Sequence, residues 1–71
     1  MPRPYYTLCV YDYESQAWFD EFGSYRLSEV KEELQGQVYD GLFRADLKII
    51  QSDGSAPDMI AKRDALPAPK R

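Results

Sequence analysis

Residues 5–13 read YYTLCVYDY: four tyrosines and, in Asp12, a single charge. The stretch alternates as a strand does. Tyr6, Leu8 and Val10 fall on one side; Tyr5, Thr7, Cys9 and Tyr11 fall on the other. Neither side is polar, so both are suited to burial. A strand of this kind belongs in the centre of a sheet, and it is stable there only if something covers each face.

The flanking sequence supplies candidates for that cover. Asp12 to Gln16 (DYESQ) is polar and of hairpin-loop length, which predicts an antiparallel partner strand over Ala17 to Phe22, with Gly23 and Ser24 ending it or bulging it. In the next segment Leu27, Val30, Leu34 and Val38 recur every three or four residues, as the apolar stripe of a helix does. Ser28 is a natural N-cap, Glu29 suits the positive end of the helix dipole, and Gly41 suits the position just past its end. Gly36 weakens the helix interior, so the helix either stops there or continues to Gly41. Leu42 to Gln51 alternates again as a third strand, with Phe43, Ala45, Leu47 and Ile49 on one face and Arg44, Asp46, Lys48 and Ile50 on the other. SDGS (52–55) is a turn by composition. Pro57 at a first helical position opens an optional short helix, Asp58 to Leu66, that holds only if something receives its thin apolar side.

The predicted fold is α+β: a small three-stranded antiparallel sheet of order 2-1-3, built β-β-α-β, with one helix on one face and the optional C-terminal helix. At 71 residues the chain is expected to be a single small domain with a marginal core, with loose ends at 1–4 and 67–71. One cysteine excludes a disulfide within the chain, and the absence of histidine argues against a metal centre. Stability must come from packing or self-association.

No residue set points to catalysis, and no cofactor is expected. Asp20 and Glu21 are adjacent on a strand and diverge. Glu29 and Glu33 lie one helical turn apart, with Asp40 continuing their side; a solvated, mildly self-repelling face explains them as simply as a shared proton or metal does. Cys9 lies mid-strand with no basic neighbour in sequence, as a small buried hydrophobe does. The four glycines are dispersed and form no phosphate-binding loop. No segment approaches a membrane span.

Charge is uneven. Residues 1–40 carry eight acids and three bases; residues 41–71 carry four acids and six bases, for a net −3 overall. An acidic chain is repelled by bulk nucleic acid. A nucleic-acid-binding regulator using the basic C-terminal end with Arg44 and Lys48 is therefore a minor alternative. Tyrosine and tryptophan are frequent interface anchors. Tyr5, Tyr11, Tyr13 and Trp18 are accordingly candidate protein-binding residues, and the acidic stripe Glu29, Glu33 and Asp40 is a second candidate contact. Tyr11 or Trp18 is expected to remain accessible.

Three motifs extend this reading. Tyr6 to Val10 (YTLCV), Trp18 to Gly23 with Tyr25 (WFDEFG-Y), and Ala45 to Ile50 (ADLKII) resemble short open reading frames of phage and prophage genomes. The resemblance spans residues 5 to about 52, through motifs that look related to packing. It implies an accessory protein of a virus or mobile element acting in a bacterial cytoplasm, a compartment the lone cysteine and the lack of an evident signal peptide also favour. The functional expectation is a module that binds and modulates a host or phage protein, such as a host-takeover factor or an anti-defence inhibitor. A homodimeric structural protein is the alternative.

Overall fold

The structure, a computed structural model, describes residues 3–69. It is α+β. Strands β1 (Tyr5–Asp12), β2 (Ala17–Ser24) and β3 (Leu47–Ser52) form an antiparallel sheet of order β2-β1-β3; helix α1 (Leu27–Tyr39) connects β2 to β3, and helix α2 (Ala56–Asp64) follows β3. The expected loose ends fall partly on residues 1, 2, 70 and 71, which lie outside the described residues.

The two faces of β1 carry two separate cores. On one face Leu8 meets Val30 and Leu34 of α1 and Leu47 of β3, with Tyr6, Val10, Phe22, Val38 and Ile49 packed around them. On the other Cys9 meets Trp18 and Ile50, closed by Tyr11, Met59 and Leu66. Leu8 and Cys9 are consecutive residues, and both are fully buried. The sheet is therefore the middle layer between α1 and α2.

One irregularity makes this possible. Opposite β1 the register of β2 shifts between Leu8 and Cys9: Phe22 pairs with Leu8, but Asp20 pairs with Cys9, and Glu21 is the extra residue. In a regular strand Trp18 and Phe22 would share a face. The bulge reverses the alternation, sending Phe22 to the α1 core and Trp18 to the α2 core. Gly23 and Ser24, expected to end the strand or to bulge it, end it: they pair regularly with Thr7 and Tyr6, and Ser24 is the last residue of β2.

The start of α1 also differs from expectation. Arg26 is the N-cap, and Ser28 lies inside the first turn. No side chain caps the first-turn N–H groups; Ser24, two residues before the N-cap, instead ties the entry together, its Oγ accepting from the Arg26 N–H at 3.0 Å and donating to the Glu29 carboxylate at 2.8 Å. This earlier start brings Leu27 into the helix with Val30 and Leu34. The helix runs through Gly36 and closes at Asp40, Gly41 and Leu42: the Gly41 N–H reaches the Val38 carbonyl, and the Leu42 N–H reaches that of Gln37. Those two bonds need a left-handed residue at position 41, which Gly41 supplies with φ 108°.

Strand three is shorter than its alternation suggested. Arg44 to Asp46 form a single 3₁₀ turn, and pairing with β1 begins at Leu47. Tyr13 explains the interruption, because its hydroxyl donates to the Asp46 carboxylate at 2.6 Å and ties the β1–β2 loop to this turn. The last helix forms, with Ser55 as N-cap, Ala56 and Pro57 in its first turn, and Asp64 as its last residue. Asp53 accepts from the N–H and hydroxyl of Ser55, and Asp58 accepts from the Asp53 N–H, which anchors that turn.

Two substitutions test this packing. Leu34→Ala should cost about 2–5 kcal/mol in chemical denaturation. Gly36 is exposed, and a Cβ there would meet nothing within 4 Å. Gly36→Ala should therefore stabilise the protein by about 0.5–1 kcal/mol, seen as a raised melting temperature.

Candidate protein-binding site

The tyrosine-rich face of β1 is not an open platform. Trp18 is only 6% exposed, and its indole N–H donates to the Pro67 carbonyl at 3.1 Å. The chain after α2 thus closes over the ring. The expectation of an accessible Trp18 is overturned, because Met59, Leu66 and Pro67 together cover more than the thin apolar side of α2 suggested. Tyr11 is half-buried, edge-on to Trp18 at 5.3 Å and to Tyr13 at 4.8 Å between ring centroids. Tyr5 is half-buried and packs edge-on to Tyr25 at 4.8 Å. Of the four aromatic candidates Tyr13 alone is exposed, and its hydroxyl is engaged by Asp46.

Two cations reinforce this cover. Arg63 of α2 reaches Asp20 of β2 at 2.9 Å, so the helix is pinned across the sheet face by charge as well as by apolar contact. Lys62 pairs with Asp58 within the helix at 2.8 Å. Both bridges are solvent-accessible and contribute little apart from orientation.

Cys9 lies beneath this cover. Burial pushes its thiol from 9.0 up to about 11, with Arg63 lowering it and Asp20 raising it to lesser degrees. Such a group is a packed hydrophobe and not a nucleophile.

The acidic candidates share one flank but are spread along the length of α1, from Glu29 in its first turn to Asp40 at its C-cap. Glu29 and Asp40 are exposed and Glu33 is half-covered, all on the flank of α1 away from its buried stripe. Glu29 accepts from Ser24, while Glu33 and Asp40 have no ion-pair partner among the described residues.

Four further exposed apolar side chains lie at one end of the molecule, outside the aromatic candidates above, while Tyr25 and Ile60 are exposed elsewhere. Tyr39 is 92% exposed; Leu42, Phe43 and Phe19 are also open to solvent. Topology brings them to one end of the molecule. Phe19 pairs with Val10, and Val10 pairs with Leu47, the first residue of β3. Tyr39 to Phe43 is the chain entering that same end from α1. Tyr39 was legible as an outlier, since it ends the helix off the stripe of Val30, Leu34 and Val38. Phe43 was hidden by the longer strand expected there. Tyr13 and Asp40 are the earlier candidates that belong to this end.

Among the described residues no His, Cys, Asp and Glu cluster suits a metal ion, and no helix is long and apolar enough to cross a membrane. Comparison with protein-family models, curated proteins and solved structures gave no match.

The buried thiol yields a pH prediction. The native protein should resist thiol alkylation at neutral pH and react once unfolded. Between about pH 9 and pH 11 the unfolded chain releases the thiol proton while the folded chain retains it. Stability from this group is thus present below pH 9 and lost as pH rises toward 11. Denaturation midpoints across that range should fall more steeply for the wild type than for Cys9→Ala, a comparison that subtracts the tyrosines.

Proposed function

We propose that the chain is a protein-binding module that contacts its partner through the aromatic end of the molecule, where α1 leaves the sheet. The exposure of Tyr39, 92% in a helix otherwise packed along its apolar stripe, carries this reading. Phe19 and Leu42 extend the apolar area, and Asp40 adds a carboxylate with no cation bound to it among the described residues. Aromatic anchors bordered by charge are the usual energetic centre of an interface. The complementary surface is an apolar recess with a basic rim.

The resemblance to short phage and prophage reading frames supports a bacterial host or phage protein as partner. A basic rim is also what a nucleic-acid-binding host complex offers, so an inhibitor that occupies such a surface is the finer version of the proposal. Self-association is the second reading. Asp40 and Arg44 flank the same end with opposite charges, and neither has an ion pair among the described residues, so a two-fold arrangement could match one to the other.

Tyr39→Ala and Asp40→Lys test the surface without touching either core. Both should leave the denaturation midpoint within about 0.5 kcal/mol of wild type. Tyr39→Ala should weaken capture of the partner from bacterial lysate by about 30-fold or more, as loss of an aromatic hot spot does. Capture unchanged by both substitutions would move the contact off this end. A wild-type dimer in solution sizing, made monomeric by Tyr39→Ala, would select the self-association reading.

A further inference from the structure

Helix α2 sits on the sheet without burying any of its own residues, whereas Val30 and Leu34 of α1 are both buried. The apolar hold of α2 and the residues after it comes from Met59 and Leu66, each only partly covered, against Cys9, Trp18 and Ile50. Clefts of about 320 Å³ and about 250 Å³ interrupt this seat. Thr7, Gly23, Ala56 and Met59 are among the residues lining the first, and Trp18, Asp64 and Leu66 among those lining the second. A layer broken in this way forgoes part of the close-packed contact that fixes a helix in place.

Its polar fastenings are also replaceable by water. Arg63 bonds Asp20 at 2.9 Å, with half of the Asp20 side chain exposed. The Trp18 indole N–H and the Pro67 carbonyl can each bond water once they separate. The helix meanwhile secures its own start. Ser55 accepts from the Asp58 N–H, Asp53 accepts from the Ser55 N–H and hydroxyl, and Asp58 accepts from the Asp53 N–H and from Lys62. Turn and helix are thus one bonded unit, which meets β3 at Ser52. There the Gly54 N–H makes a long bond, 3.4 Å, to the serine hydroxyl.

The topology permits that unit to move. Among the described residues no strand of the sheet follows α2, so lifting it breaks no strand pairing. Helix α1 connects β2 to β3, and its core around Leu8 lies on the other face. From these features we infer that residues 53–67 form a lid that opens as a unit from the junction of Ser52 and Asp53 while the sheet and α1 stay folded. The closed form predominates and withholds Cys9, Trp18 and Ile50 from solvent; each opening presents them together.

Cys9 reports the opening in the intact protein. Its reaction with N-ethylmaleimide at neutral pH, slow in the closed form, is followed across a urea series alongside amide hydrogen exchange of Val30 and Leu34, which reads global unfolding. The thiol should become accessible at least about tenfold more often than global unfolding allows, with a shallower dependence on urea. Met59→Ala loosens the lid and should speed the Cys9 reaction about tenfold. Gly36→Ala strengthens α1 alone and should leave that reaction unchanged. The lid is overturned if the Cys9 reaction follows the same urea dependence as exchange at Val30 and Leu34. It is equally overturned if Gly36→Ala slows the reaction in step with its gain in global stability, or if Met59→Ala leaves the reaction at the wild-type rate.

Discussion

Burial of β1 on both faces is the constraint from which the rest of the architecture follows. Leu8 and Cys9 are neighbours in sequence and point in opposite directions, yet both are excluded from solvent. One layer of helix could cover only one of them. The chain therefore needs α1 on the Leu8 side and α2 on the Cys9 side, and it needs β2 and β3 to flank the strand so that its backbone groups are paired. A chain this short has little apolar surface to spend. Placing its most apolar strand where both sides of every residue contribute is an efficient use of it.

The two cores draw on β2 unequally. Phe22 serves one, Trp18 the other, and the extra residue Glu21 is what lets a single strand supply both. The α1 core has an aliphatic centre, Leu8, Val30, Leu34 and Leu47, with Tyr6 and Phe22 at its edge, and is closed by the apolar stripe of α1. The α2 core is smaller, contains the tryptophan, and depends on a segment that reaches Pro67 before the indole is satisfied. Besides its apolar contacts, α2 holds the sheet by one charged pair, Arg63 with Asp20.

Much of this was readable in advance, and the divisions are instructive. The period-two pattern of residues 5–11 and the stripe Val30, Leu34, Val38 identified the central strand, the main helix and the sheet order, because both patterns record burial directly. The α1 start was misplaced by two residues. Ser28 has the right chemistry for a cap, but Ser24 reaches the same backbone region from the preceding strand, a tertiary arrangement no local rule contains. The third strand was drawn too long because Phe43 to Asp46 alternate as a strand would. What stops them is the bond from Tyr13 to Asp46, which joins residues far apart in sequence. The covered state of Trp18 was missed for a related reason. Few apolar residues in α2 suggested a poor shield, whereas the shield includes a loop carbonyl that periodicity does not register. Nor could alternation show that Tyr39, Leu42 and Phe19 converge at one end of the molecule; that follows from strand register.

The bulge at Glu21 also bears on strand addition at the edge of the sheet. β2 is an edge strand of eight residues, long enough to template a foreign strand along its free side. The break in register divides its pairing into a run of three residues and a run of four. Fibril-forming segments need about six or seven residues in one flat, continuous ladder. Neither run reaches that length, and the break carries two adjacent carboxylates. The same inserted residue that divides the aromatics between two cores thus guards an exposed margin against runaway strand addition.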